Sequence, residues 1–166
     1  YQPIVDIEDN KVVGYEALMR WRHPQRGVLP PGEFLGVAED TGTSETIDWQ
    51  IFAQVCRDAN ALCGNNATFI AINLSARHFN NPRFDQRLLE LLAEYAVPAS
   101  YLHVEVTEHA LLENTPEVKR ILQAFRDAGI NISLDDFGTG YSSLSYLHQY
   151  PLQTLKIDRS FVANLS

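Results

Sequence analysis

The chain is poor in basic residues and contains no long apolar run. Its 13 Lys and Arg residues face 21 Asp and Glu residues, which gives a formal net charge of −8. A duplex nucleic-acid surface needs a basic face that displaces counterions. No apolar run approaches the ~18 residues that suggest a membrane-spanning helix, and the N-terminal residues do not resemble a signal peptide. The sequence therefore predicts no duplex nucleic-acid partner, no membrane span and a cytoplasmic location.

Cysteine is also scarce, and the two cysteines predict no disulfide. Cys56 and Cys63 lie on one amphipathic segment, and on a helix their Cα atoms would be ~10 Å apart. A disulfide needs less than about 7 Å. Because there is no CxxC motif and no nearby pair of histidines, a zinc site is not expected either. Both thiols are expected to be unpaired packing residues, as in a reducing compartment.

What the chain does contain is an alternation of strand-like and helix-like segments within one globular domain of 45% hydrophobic residues. Strand patterns occupy residues 1–7, 11–21, 68–75, 101–108, 131–137 and 154–158, and helix patterns occupy residues 31–41, 44–62, 83–95, 116–128 and 142–149. The three residues 8–10 predict an antiparallel hairpin, whereas the helix-linked strands should be parallel. This is an α/β pattern, which closes into a barrel or opens into a doubly wound sheet.

The later strands each have one aliphatic face and one face that carries polar groups. In residues 131–135, for example, Ile132 and Leu134 oppose Ser133 and Asp135. The polar groups of this kind are Asn73, Glu105, Asp135 and Lys156, with Glu16 in the second strand on a face shared with Leu18 and Arg20. In a (β/α) barrel this face points inward, and functional groups gather at the carboxyl ends of the strands. We therefore expect these side chains to converge.

Each polar residue also has a simpler interpretation, because a single Glu or Asn in a strand is most often exposed to solvent. Lys156 alone would be a lysine that discourages edge-strand aggregation. Recurrence in successive strands favours a shared site, and carboxylate and amide oxygens are ligands typical of Mg²⁺ or Mn²⁺. Asp136, next to Asp135, would allow a second ion, and two ions about 3.5–4 Å apart clamp a phosphodiester for in-line attack. Such ions also give an acidic chain the positive charge that an anionic substrate requires.

The loop that begins at Asp135 contains Asp136-Phe137-Gly138, which invites comparison with protein kinases. We reject that comparison, because the chain has no upstream glycine-rich loop and no HRD-type catalytic loop. Gly138 and Gly140 instead predict a mobile lid beside the carboxylates, the alternative being an ordinary strand-to-helix turn.

The segment Gly14-Tyr15-Glu16-Ala17-Leu18-Met19-Arg20-Trp21 resembles the signature of the EAL domain, the phosphodiesterase family that linearises cyclic di-GMP. Six further ordered segments match, and together with the signature they span essentially the whole chain. Beyond the signature, the matching segments are Gln2-Pro3-Ile4, His23-Pro24, Asn73-Leu74-Ser75, Glu105-Val106-Thr107-Glu108, residues 135–143 and residues 155–162. The resemblance implies a TIM-like barrel with an antiparallel first strand, in agreement with the predicted hairpin.

The resemblance also implies the metal and catalytic residues. One divalent ion, Mg²⁺ or Mn²⁺, would be bound by Glu16, Asn73, Glu105 and Asp135. Asp135 and Asp136 would serve a second ion, and Lys156 would orient the attacking water. Catalysis would thus depend on Glu16, Asp136 and Lys156.

The resemblance further implies the substrate and its contacts. Gln2, Leu18 and Arg20 would contact cyclic di-GMP, with Arg20 at a phosphate, and Glu108 would steady the lid. The product would be linear pGpG in bacterial second-messenger signalling, and the parent protein could carry sensor or GGDEF-type domains and form a homodimer. The alternative function is a non-catalytic cyclic di-GMP receptor or scaffold.

A closed barrel typically needs ~250 residues and at least ~200, whereas this chain has 166. The family's AEGVE-like segment, which carries another catalytic Glu, and its later QG-containing segment have no counterpart here. We therefore interpret residues 1–166 as the N-terminal two thirds of an EAL domain, with six barrel strands. A molecule of this length alone would be expected to be inactive and to associate through an open strand edge.

Overall fold

A computed structural model describes residues 1–64, 68–112, 115–138 and 147–163. The sheets contain the strands β1 (Gln2–Val5), β2 (Val12–Glu16), β3 (Trp21–His23), β4 (Gly27–Leu29), β5 (Phe69–Leu74), β6 (Leu102–Thr107), β7 (Asn131–Phe137) and β8 (Thr154–Ile157). The α-helices are α1 (Leu35–Asp40), α2 (Ser44–Cys63), α3 (Ala76–Phe79), α4 (Phe84–Glu94), α5 (Glu108–Leu112), α6 (Pro116–Ala128) and α7 (Arg159–Val162). Short 3₁₀ helices lie at Pro31–Glu33 and Ala99–Tyr101.

Six strands form one curled sheet in the order β1-β2-β5-β6-β7-β8. β1 is antiparallel to β2, and every later neighbour is parallel. The predicted α/β fold, with a partial TIM-like barrel and an antiparallel first strand, is confirmed.

The β1–β2 hairpin is closed by a polar turn. Asp6 Oδ1 accepts hydrogen bonds from the backbone N–H groups of Glu8 and Asp9, at 2.8 and 3.2 Å. Asn10 has a φ of 54°, a left-handed conformation that asparagine tolerates better than most residues. This turn folds β1 back onto β2, so that Gln2 lies opposite Glu16.

The helix α6 shows how local signals fix an element. Thr115 is its N-cap and accepts a hydrogen bond from the Val118 N–H at 3.2 Å, and Pro116 occupies the first turn. Gly129 ends the helix with a φ of 92°. The bounds Pro116–Ala128 are those predicted from the sequence.

The main core lies between the outer face of the curled sheet and the helices. The aliphatic faces predicted for the strands are buried there; Val104, Val106, Ile132 and Leu134 are all 0% exposed. The helix α6 contributes Ile121 and Leu122 to the same cluster. Because this face of the sheet is committed to the core, the polar residues of the strands point the other way.

The structure corrects several predicted boundaries. The second strand does not continue to residue 21 but leaves the sheet after the Ala17 N–H bonds to the carbonyl of Ala71. Leu18 and Arg20 therefore do not share a strand face with Glu16. The predicted helix 31–41 is divided into a 3₁₀ turn and α1, and the hairpin β3–β4 and the short helices α3 and α5 were not predicted. Most of the predicted helix 142–149 lies outside the described residues.

Cys56 and Cys63 are buried and free, as predicted. In the part of the chain that the structure describes, no helix is both long enough and apolar enough to cross a membrane.

Candidate active site

Three carboxylates from three strands surround the ammonium of Lys156. Lys156 Nζ lies 2.5 Å from Glu105 Oε2, 3.2 Å from Asp135 Oδ1 and 3.6 Å from Glu16 Oε2. These side chains come from β8, β6, β7 and β2, and they meet on the inner face of the sheet. The convergence expected from the strand patterns is therefore present.

Asn73 joins this cluster from β5. Its Nδ2 donates a hydrogen bond of 3.0 Å to Glu16 Oε1. In the parallel ladder Asn73 pairs with Glu105, so the register itself places the amide beside the carboxylates. Small residues flank the two glutamates, since Ala71 pairs with Glu16 and Ser133 with Glu105. The sheet thus leaves room for the long side chains above its inner face.

Burial and charge shift the pKa values of this cluster. Glu105 is 2% exposed, and burial raises its pKa above the ordinary value, against the effect of the Lys156 hydrogen bond. Burial alone would lower the pKa of Lys156, but the hydrogen bond to Glu105 and the charges of Asp135 and Glu16 raise it. The lysine is therefore held as an ammonium by the carboxylates around it.

Asp136 lies at the edge of the cluster in an unusual backbone conformation. Its φ is 55°, and the β7–β8 register shifts between Leu134 and Phe137. This irregularity breaks the strict alternation of side chains that a strand imposes. Partial desolvation and the charges of Asp135 and Asp158 raise the pKa of Asp136. Asp136 thus lies beside Asp135, as the prediction of a second ion requires. The role of Asp136 in binding that ion remains a prediction.

The residues predicted to contact the substrate lie around the same edge of the sheet. Gln2 is exposed and pairs with Glu16 across the antiparallel ladder. Leu18 lines a cavity of about 350 Å³ together with Asn73 and His78. Arg20 is exposed, and its Nη1 donates a hydrogen bond of 2.7 Å to the carbonyl of Met19. Their predicted contacts with a dinucleotide remain predictions.

Glu108 is 5% exposed and begins α5 directly after β6. Gly138, the first glycine of the predicted lid, has a φ of 99°, which favours glycine. The predicted lid from Thr139 onwards lies outside the described residues. The predicted support of this lid by Glu108 therefore remains a prediction.

The donor set fits a hard divalent cation. Three carboxylates lie within 3.6 Å of one cationic point, the Lys156 ammonium, and Asn73 adds an amide beside them. Among the described residues no group of three or more His, Cys, Asp and Glu side chains is arranged to hold a metal ion, and the carboxylates converge on the ammonium instead. The ligand types are those of Mg²⁺ or Mn²⁺ rather than zinc.

One network beside the site was not found from the sequence. The buried Asp48 of α2 accepts hydrogen bonds from His78 Nε2 at 2.9 Å and from Arg77 Nη2 at 2.8 Å. Arg77 also pairs with Glu39 at 2.5 Å. The spacing Ser75-x-x-His78, a capping-box pattern that opens α3, is the signal that could have indicated it.

Comparison with known proteins identifies the family. A family model described as "EAL domain" matches residues 1–166. The cyclic di-GMP phosphodiesterase NbdA of Pseudomonas aeruginosa is 39% identical over 167 residues, which cover 99% of this chain and 21% of NbdA. The bifunctional diguanylate cyclase/cyclic di-GMP phosphodiesterase MucR of the same species is 40% identical over 168 residues, which cover 100% of this chain and 24% of MucR.

Solved structures agree with this result. The PaMucR phosphodiesterase in complex with c-di-GMP superposes with a TM-score of 0.91 at 40% identity, over 99% of this chain and 68% of that one. The calcium/cyclic di-GMP complex of BlrP1 from Klebsiella pneumoniae superposes with a TM-score of 0.81 at 29% identity. The match covers 99% of this chain and 40% of that one.

The fold and the site thus define a TIM-like barrel domain with a cluster of acidic side chains around Lys156 at the carboxyl ends of its strands. The chain belongs to the EAL domain family, as the resemblance implied. It spans about a fifth to a quarter of the length of these curated relatives.

Proposed function

We propose that this chain is the N-terminal two thirds of an EAL domain that hydrolyses cyclic di-GMP to linear pGpG with two Mg²⁺ or Mn²⁺ ions. The observation that carries the proposal is the meeting of Glu16, Asn73, Glu105, Asp135 and Lys156 at one point. The relatives support the substrate, because NbdA and MucR are cyclic di-GMP phosphodiesterases and the PaMucR structure holds c-di-GMP.

The chemistry follows from the side chains. Divalent ions held by the carboxylates and Asn73 would supply Lewis-acid stabilisation of the phosphate charge. Lys156 donates a hydrogen bond to the attacking water and fixes its direction. The water oxygen forms a bond to phosphorus as the bond from phosphorus to the 3′ oxygen breaks. One proton of the water ends on the 3′ oxygen, which leaves as a hydroxyl, and the other remains with the new phosphate group or passes to solvent. Asp136 serves the second ion beside Asp135.

The remaining predicted residues bind the dinucleotide. Gln2 and Leu18 contact it at the rim of the site, and Arg20 turns from the Met19 carbonyl to pair with a phosphate. Glu108 supports the lid that covers the bound substrate. We place this chemistry in the bacterial cytoplasm, in a multidomain signalling protein with sensor or GGDEF-type domains, and in a homodimer.

The experiment is a hydrolysis assay on the chain in its native full-length context. The protein is incubated with cyclic di-GMP and Mn²⁺ or Mg²⁺, with and without a chelator, and products are separated by chromatography. The proposal expects pGpG that forms only with metal. Tight binding of cyclic di-GMP with no pGpG at any metal concentration would instead make the chain part of a non-catalytic receptor.

A further inference from the structure

His78 is a buried imidazole in α3, next to the site but not in contact with the carboxylate cluster. It is 7% exposed. The rings of Phe52 from α2 and Phe84 from α4 lie 5.8 and 5.0 Å from it, centroid to centroid. The position of the ring is therefore fixed by packing on two sides.

Hydrogen bonds fix the direction of the ring as well. His78 Nδ1 accepts from the backbone N–H of Ser75 at 2.9 Å. The same nitrogen lies 3.1 Å from both the hydroxyl and the carbonyl oxygen of Ser75, so all of its polar contacts are with that residue. Nε2 in turn donates to Asp48 Oδ2 at 2.9 Å. His78 thus ties the corner after β5 to the long helix α2.

That corner carries a predicted metal ligand. Asn73 lies two residues before Ser75, and the pairing of β5 with β6 ends at Leu74. Beyond this point the backbone of Ser75 is held by His78, through its ring and through the His78 N–H, which donates to the Ser75 carbonyl at 3.1 Å. Asn73 itself is exposed, so the direction of its amide toward Glu16 depends on the backbone on either side.

We propose that His78 is a positioning residue for the metal site: by holding Ser75 against Asp48 it keeps Asn73 in reach of the ion. This inference rests on the proposed function, since it assumes that Asn73 is a ligand. Partners that orient a metal ligand typically change metal affinity by about 10–100-fold when they are removed.

The test compares variants at His78 by calorimetric titration with Mn²⁺ and by thermal unfolding, in the full-length protein. His78→Phe keeps the ring between Phe52 and Phe84 but removes both hydrogen bonds, and it should weaken Mn²⁺ binding about tenfold or more. His78→Gln offers one donor and one acceptor, and it should restore affinity to within about threefold of the wild type. The exposed His109 provides the matched control, since His109→Gln should bind Mn²⁺ normally.

His78→Asn is the second variant, because its short amide can accept from Ser75 but is too short to reach Asp48. The same loss of affinity is expected from it. Wild-type Mn²⁺ binding by both His78→Phe and His78→Asn would overturn the proposal, even with a lower melting temperature, because His78 would then only stabilise the fold. Failure of both variants to fold would also overturn the proposal, because His78 would then be needed for the fold as a whole and not for the position of Asn73.

Asn73→Ala separates this proposal from the one on which it rests. If Asn73→Ala binds Mn²⁺ as the wild type does, Asn73 is not a ligand and the site assignment fails. If Asn73→Ala loses affinity while the His78 variants keep it, the metal site stands and only the positioning role is wrong.

Discussion

At the scale of single residues, Lys156 places one positive charge among three carboxylates. Glu105 contacts it most closely and is almost fully buried. A buried carboxylate is costly unless it is paired or bound to a cation. The lysine therefore stabilises the cluster by its charge. Under the proposed function it would also orient the attacking water.

We expect Lys156→Met to lower kcat for cyclic di-GMP by ~10² or more while substrate binding stays within about tenfold, because groups that position a nucleophile act on the chemical step. The variant should also unfold at a lower temperature without metal, because Glu105 loses its partner. Steady-state kinetics and thermal unfolding with and without Mn²⁺ check both effects. A collapse of binding with normal turnover of bound substrate would make Lys156 a phosphate clamp instead.

Gly14 shows a packing constraint on the same inner face of the sheet. A methyl group at this position would lie 2.6 Å from the ring of Phe69. That ring is stacked on His103, with centroids 3.6 Å apart and the planes 7° from parallel, so it cannot retreat on that side.

We expect Gly14→Ala to lower the free energy of unfolding by about 1–3 kcal/mol through overpacking. The control is Gly36→Ala, since a Cβ at Gly36 meets nothing within 4 Å and the residue lies in the exposed part of α1. That substitution should stabilise the protein by up to ~1 kcal/mol. Urea unfolding measures both, and equal effects of the two substitutions would contradict the packing argument.

At the scale of elements, one ion pair joins α4 to α6. Arg120 of α6 donates to both oxygens of Asp85, at 2.9 and 3.0 Å, and to the carbonyl of Pro82 at 2.7 Å. Asp85 is 3% exposed, and the Arg120 hydrogen bonds hold its pKa below the ordinary value. This pair joins α4 to α6, the helix that packs against β7, the strand of Asp135.

The lowered pKa of Asp85 gives a pH dependence with a definite sign. The folded state favours the carboxylate, so its contribution to stability is present above about pH 4 and is lost as the pH falls further. Asp85→Asn should therefore be less stable by about 1–3 kcal/mol at pH 7 and should lose less stability than the wild type between neutral and acid pH. Urea unfolding across this range tests it, with the exposed Asp127→Asn as control, and parallel pH curves for wild type and Asp85→Asn would contradict it.

The strands of the site could be predicted well from the sequence, because apolar and polar residues alternate along them. This alternation is a local signal, and the tertiary structure keeps it. Glu105 and Asp135 could be placed on one face from their neighbours alone, and parallel pairing brought the strand ends together. The hairpin β3–β4 could not be predicted in this way. Its strands have three residues each, and Trp21 is held by edge contacts with His23 and Phe34, the latter more distant in sequence.

The same reasoning explains the other missed features. The short helix α3 has a local signal, its capping box of Ser75 and His78, but the contact of His78 with Asp48 joins residues 30 positions apart in the chain. The left-handed conformation of Asp136 has no residue signal, since aspartate is found in strands, turns and loops. What could not be predicted was thus set by contacts between distant residues or by a single strained residue.

At the scale of the whole molecule, an acidic chain gathers the carboxylates of Glu16, Glu105 and Asp135 at one edge of the sheet. The net charge of −8 repels an anionic dinucleotide at long range. Under the proposed function, bound cations and the exposed Arg20 would reverse that field locally, so metal would be needed for substrate binding as well as for chemistry. Substrate affinity should therefore fall when metal is removed.

The central claim is that the side chains meeting around Lys156 form one metal-dependent phosphodiesterase centre. The most direct measurement is the rate of pGpG formation by Glu16→Ala and by Asp135→Ala at saturating Mn²⁺ in the full-length protein, beside the exposed Glu8→Ala as control. Each site variant removes a charged ligand and should lose hydrolysis by several kcal/mol of transition-state stabilisation, about 10³-fold or more, while Glu8→Ala keeps the wild-type rate. Near-normal hydrolysis by either site variant at saturating metal would contradict the account.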